Sequence, residues 1–212
     1  MNAKSTAAAD LDSYLAARES ERALITAERH AELMRLAGYL RGRIDAGETA
    51  RLLFVCTHNS RRSQLAQLWA AAAGDRYGVP VETYSAGTES TAFHPRAVAA
   101  VERAGFLVER QDESDNPIYL VRMRSTETPV ACSSKLVDTA LLPGQLFAAV
   151  MVCNAADAAC PFVAGAELRM PLTYVDPKVS DGTPDEAATY DERCAQIARQ
   201  MLCLVDLVRA EA

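Results

Sequence analysis

The chain has 212 residues, half of them apolar, six cysteines and a formal net charge of −6. That length buries one good core and is short for two full domains. The acidic balance argues against nucleic acid or an anionic membrane surface as a partner, because both reward basic faces.

Residues 1 to about 50 are rich in alanine and charge, and Leu33, Leu36, Ala37, Leu40 and Ile44 recur at helical spacing. Two helices are expected, near 8–18 and 20–46, ending at Gly47. They form an N-terminal helical extension whose single apolar stripe suits either the catalytic part, residues 51–212, or a second copy of the chain in a homodimer. Ala7-Ala8-Ala9 is broken by Asp10, so no signal-peptide core is expected, and no apolar run reaches bilayer length. These features point to a soluble cytoplasmic protein. In a reducing compartment its cysteines are expected to be buried or chemically active rather than paired. No Cys-x2-Cys pair is present, which argues against zinc; no metal and no cofactor are expected.

From residue 51 on, strands alternate with helices. Leu52–Val55 runs into Cys56 and a polar loop, followed by a helix from Ser63 to Ala73. Val81–Ser85 is a second strand, and His94-Pro95 opens a helix with His94 at the cap and proline at N1. Residues 111–136 interrupt the alternation as an inserted hairpin, with strands at Ile118–Val121 and Thr128–Ala131; nothing near its Cys132 suggests chemistry. Phe147–Val152 is an apolar strand ending at Cys153, and Leu168–Val175 another ending at Asp176-Pro177. Thr183-Pro184-Asp185-Glu186 reads as a capping box before a last helix, in which Cys194 and Cys203 are packing residues. The predicted fold class is α/β, a four-stranded parallel sheet with helices on both faces.

The chemistry concentrates in Cys56-Thr57-His58-Asn59-Ser60-Arg61-Arg62-Ser63. A loop between a strand and a helix lets successive backbone N–H groups converge where the helix N-terminus favours an anion, and the same field favours a thiolate at Cys56. Arg62 offers a planar fork for two oxygens of a tetrahedral oxyanion. Cations at a helix N-terminus are unfavourable, so Arg61-Arg62 calls for an anionic guest. Cys203 and Arg209 share the spacing but lie within one helix, with no loop between them. In a parallel sheet functional groups gather beyond the carboxyl ends of the strands, where Cys56, Cys153 and Asp176 all fall. Cys160 follows Cys153 after the polar stretch 154–159, a segment able to loop or unwind.

On these residues the chain resembles the low-molecular-weight protein tyrosine phosphatase superfamily and, within it, the thioredoxin-coupled arsenate reductases, over roughly residues 51–208. Cys56-x5-Arg62-Ser63 is similar to the family's phosphate-binding loop, formed by Thr57, His58, Asn59, Ser60 and Arg61. Ser85-Ala86-Gly87 is similar to its second strand end and Asp176-Pro177 to its general-acid loop. Cys153-x6-Cys160-Pro161 is similar to the redox pair of the reductases. The resemblance implies a small oxyanion or phosphomonoester substrate attacked by Cys56, with Ser63 donating to the thiolate, Asn59 bracing the loop and Asp176 protonating the leaving oxygen. It further implies either a Cys56–Cys153–Cys160 relay regenerated by thioredoxin or hydrolysis of a Cys56 phosphoenzyme. His58 stands where both families usually carry glycine, and Arg61 where both commonly have a second loop cysteine, so a protective disulfide inside the loop is unavailable. A non-enzymatic reading, an oxyanion- or thiol-sensing module, predicts binding without turnover.

Overall fold

A computed structural model describes residues 10–124, 128–139 and 142–210. The described residues begin with α1 (Leu11–Ser20), a short 3-10 turn (Arg22–Leu24) and α2 (Ala27–Asp45). Thr26 caps α2, its hydroxyl accepting from Arg29 N at 3.2 Å. The second helix thus begins later than its apolar spacing suggests, because Thr26 offers a cap and the preceding residues form the 3-10 turn. Gly47, at φ 73°, follows its end.

β1 (Ala50–Cys56) leads to α3 (Arg62–Tyr77), β2 (Val81–Gly87) and α4 (Pro95–Arg103). Every β1 residue except Arg51 is buried, as a strand covered on both faces requires. His94 caps α4, its Nδ1 accepting from Arg96 N at 3.3 Å, with Pro95 in the first turn. After β3 (Leu107–Arg110), β4 (Tyr119–Arg122) and β5 (Val130–Cys132) come β6 (Phe147–Met151), α5 (Asn154–Ala159), β7 (Ala166–Pro171), a 3-10 turn (Pro177–Ser180) and α6 (Glu186–Ala210). The main sheet has the order β2-β1-β6-β7, all parallel, with helices packed around it.

Four local expectations are corrected. The insert is not a hairpin of residues 111–136 but a three-stranded antiparallel sheet, β3-β4-β5, that begins at Leu107, because the mostly exposed Leu107–Arg110 finds a partner in β4. The fourth parallel strand stops at Pro171, and residues 172–176 run on as loop tied by two bonds to the last residue of β6 and the one after it, Leu172 N to Met151 O and Tyr174 N to Val152 O. The stretch 154–159 is helical, capped by Cys153 itself, whose Sγ accepts from Ala156 N at 3.3 Å. No capping box forms at Thr183: its hydroxyl donates to Ser180 O, while the Glu186 carboxylate takes Gly182 N and Arg96.

The N-terminal helices share the core of the sheet. Leu33, Leu36 and Leu40 are fully buried in one cluster with Phe54, Trp69 and Leu204. Tyr14 stacks on Trp69 at 5.1 Å, and Arg199 of α6 pairs with Glu21 at 2.9 Å. Arg41 bonds the carbonyls of Leu207 and Val208 at the end of α6.

Candidate functional site

β1 delivers Cys56 to the carboxyl edge of the sheet, and the chain then turns through Thr57–Arg61 into α3. Surrounding segments take up the carbonyls of this turn one after another. Thr88 N reaches Cys56 O at 3.2 Å, Glu89 N reaches Thr57 O at 2.7 Å, and His94 N reaches Ser60 O at 2.9 Å. Ser134 Oγ donates to His58 O at 2.8 Å and Gln64 Nε2 to Asn59 O at 3.1 Å. With its acceptors engaged outside, such a turn leaves its N–H groups to the concave side, the arrangement that binds anions.

Asn59 makes the turn possible. Its φ is 45°, a left-handed conformation that asparagine tolerates better than most residues. The side chain is fully buried, and its Oδ1 accepts from Lys135 N at 2.8 Å and Gln64 Nε2 at 3.2 Å. Its Nδ2 donates to Ser63 Oγ at 2.8 Å, which frees the Ser63 hydroxyl proton for Cys56 Sγ, 3.1 Å away. Gly87 is the close approach that packs β2 against this turn: a Cβ there would lie 2.6 Å from Thr57 O and 2.7 Å from Asn59 N.

Lys135, Ser134 and Gln64 were not singled out by sequence. The strand-free segment after β5 grips the turn through Ser134 and Lys135, and Gln64 Nε2 ties in Ser133 O at 2.7 Å. The insert that carries no chemistry of its own therefore holds the loop. A serine-lysine pair just past a short strand has no pattern that would reveal this. Cys132 beside it is fully buried, which pushes its thiol up to about 12, as burial also does for Cys194. Burial raises the Cys203 thiol too.

Arg62 spans from the turn to the loop after β7. Its Nη2 meets Asp176 Oδ2 at 2.6 Å, Nη1 meets Tyr174 O at 3.0 Å, and Nε is buried with no hydrogen-bond partner. Arg61, expected among the oxyanion-binding loop residues, turns its guanidinium aside: Nε donates to Tyr190 Oη at 2.7 Å and Nη2 to Asp181 at 3.4 Å. The charge that called for an anion is met by a carboxylate of the protein. Burial lifts the Tyr190 phenol to about 12. His58 is half-exposed, with Nε2 3.1 Å from the Glu89 carboxylate.

Cys153 comes into the same crevice. Val152 N donates to Val55 O at 2.8 Å, setting the end of β6 beside the end of β1, and Cys153 Sγ lies 3.6 Å from Thr57 Oγ1. Cys160 does not join them. It caps the far end of α5, its thiol donating to Phe162 O at 3.3 Å. Arg169 fastens this helix, donating to Asp157 O and Oδ1 at 2.6 Å each and to Cys160 O at 2.9 Å.

A four-stranded parallel α/β fold with a cysteine-to-arginine turn at the end of its first strand defines a class of enzymes. Residues 51–117 match the family model described as low molecular weight phosphotyrosine protein phosphatase. Arsenate reductases from Bacillus licheniformis and Bacillus subtilis are 29% and 28% identical to this chain over 67% and 69% of its length, and 84% and 87% of theirs. A low molecular weight phosphotyrosine phosphatase from Vibrio cholerae O395 shares the fold at 15% identity and a TM-score of 0.52, over 77% of this chain and 99% of that one. So does an arginine phosphatase from Geobacillus stearothermophilus, at 16% identity and a TM-score of 0.50, over 76% and 94%. Residues 51–117 are thus similar to the low molecular weight phosphotyrosine protein phosphatases, and the relatives matched over two thirds of the chain are arsenate reductases; both are enzymes.

Proposed function

We propose that the chain reduces arsenate to arsenite through Cys56, Cys153 and Cys160. The Cys56 thiolate attacks arsenate bound by the loop N–H groups and Arg62, and Asp176 protonates the departing oxygen, which leaves as water. The Cys153 thiolate then attacks Cys56 Sγ: a sulfur–sulfur bond forms, the sulfur–arsenic bond breaks, and its electron pair stays on arsenic, which departs as arsenite. Cys160 attacks Cys153 Sγ, releasing the Cys56 thiolate and leaving a Cys153–Cys160 disulfide. A dithiol protein of the thioredoxin type returns both thiols.

The observation that carries this reading is the Cys153 thiol, buried 3.6 Å from Thr57 Oγ1, one residue from the attacking sulfur. The arsenate reductases among the relatives support it. In the second reading water hydrolyses a Cys56 phosphoenzyme with Asp176 as base, and no redox partner is needed. What favours that one is Cys160, held at the far end of α5 by Arg169.

The two separate in a paired assay of arsenate-dependent NADPH oxidation, coupled through thioredoxin and its reductase, and of aryl phosphate hydrolysis. Cys153→Ser abolishes the first and spares the second under the relay; arsenate reduction that survives the substitution sinks it. Cys56→Ser ends both.

A further inference from the structure

Two adjacent arginines of the turn hold opposite ends of one short segment. Asp176 and Asp181 flank the 3-10 turn Pro177–Ser180. Arg62 takes the first at 2.6 Å and Arg61 the second at 3.4 Å. The second grip is the more elaborate. Tyr190 Oη accepts from Arg61 at 2.7 Å and donates to Asp181 Oδ1 at 2.9 Å, closing a three-membered ring of contacts. Arg96 lies 3.6 Å from the same Asp181 carboxylate and pairs at 2.6 Å with Glu186, which also accepts from Gly182 N at 2.6 Å. Ser180 Oγ and Thr189 Oγ1 lie 2.8 Å apart. The side chains of Arg61 and Asp181 are 11% and 21% exposed, and Tyr190 is fully buried, so water screens the cluster little.

The two grips differ in what binding does to them. An oxyanion entering the turn competes with Asp176 for Arg62, because one guanidinium fork cannot serve both in full. At that moment the Asp176 end of the segment is released, just when its carboxyl is required beside the leaving oxygen. Arg61 faces away from the concave side and keeps its partners.

We infer that Arg61, Asp181 and Tyr190 form a positioning strut that keeps the Asp176 segment over Cys56 once the substrate has taken Arg62. None of the three touches the reacting atoms. The role follows from the arginine that this chain carries at position 61, and it rests on the reading of the Cys56 turn as an oxyanion site.

Hydrogen exchange on the full chain, with and without saturating inorganic phosphate, tests it. In the wild type the amides of 178–183 stay protected when phosphate is added. In Asp181→Asn they remain largely protected without phosphate and lose protection with it, and Tyr190→Phe shows a weaker form of the same response. Protection in Asp181→Asn that is unchanged by phosphate, or lost equally in both states, overturns the strut. The amides of 57–62 report separately: if phosphate leaves their exchange unaltered in the wild type, the oxyanion reading itself fails. Kinetics give a second readout. Asp181→Asn lowers kcat for phenyl phosphate by about 10- to 100-fold, part of what a general acid contributes. It lowers kcat for an ester with a strongly activated leaving group far less, with phosphate inhibition intact. An equal loss on both esters marks a merely structural residue and overturns the proposal.

Discussion

His94 shows how much one side chain can carry in this molecule. Its ring stacks on Tyr190, with centroids 6.3 Å apart, and its Nδ1 caps α4. Burial first, and the nearby Arg61 second, hold its pKa below the ordinary 6.5. Below that value the unfolded chain binds a proton that the folded one resists, so the neutral ring's contribution to stability is fully present above pH 6.5 and is lost as pH falls through the depressed value. Protonation also removes the acceptor that the cap uses. His94→Asn keeps a capping group without the titration, and urea unfolding between pH 5 and 7.5 should show a shallower loss of stability on the acid side than in the wild type. An unchanged slope assigns the acid sensitivity elsewhere. Gly87 makes the complementary point about space. Backbone atoms of Thr57 and Asn59 occupy the volume of its missing Cβ. Gly87→Ala should cost about 1–3 kcal/mol in unfolding experiments and weaken phosphate binding, since the displaced atoms belong to the turn.

At the scale of an element, α5 matters because it separates two thiols that the relay must join. Six helical residues span about 9 Å, so Cys160 reaches Cys153 only if the helix opens. So short a helix has little stability of its own. Its fastening is Arg169, which bonds the carbonyls of Asp157 and Cys160 and the Asp157 carboxylate. Under the reductase reading Arg169→Ala should accelerate formation of the Cys153–Cys160 disulfide in the oxidised protein, measured by thiol mapping after a timed quench. No acceleration would mean that something other than this staple limits the opening. In sequence the segment reads as polar and able to unwind, yet four of its six residues are alanine, the strongest helix former. What local pattern does not announce is its fastening by a β7 arginine, nine residues beyond Cys160.

For the whole molecule, the N-terminal segment is the informative part. Its apolar stripe was legible in sequence, but the stripe alone left open whether it covers the sheet domain or a second copy. Leu33, Leu36 and Leu40 are fully buried within this chain, in the cluster that holds the β1 residue Phe54. Leu36→Ala should therefore destabilise the chain by about 2–5 kcal/mol, read as a shift of the single unfolding transition. A separate early transition, leaving the catalytic part intact, would show instead that the helices fold apart from it. The insert teaches the same lesson. Its first strand was hidden because Leu107–Arg110 is mostly exposed and carries no alternation, and its hold on the turn runs through Ser133 O, Lys135 N and the Ser134 hydroxyl, to which sequence pattern is blind.

The sequence by itself determined the four strands of the parallel sheet, the helices that follow the first two of them and the turn from Cys56 to Arg62, because these follow from local chemistry: apolar runs, a cap, and a thiol, polar residues and an arginine at fixed spacing. Tertiary structure alone decided which way each charged side chain faces. Arg61 and Arg62 are neighbours with the same chemistry, yet one meets Asp176 and the other meets Asp181 and Tyr190. The difference comes from partners more than a hundred residues away, brought close only when α6 and the loop after β7 pack against the sheet.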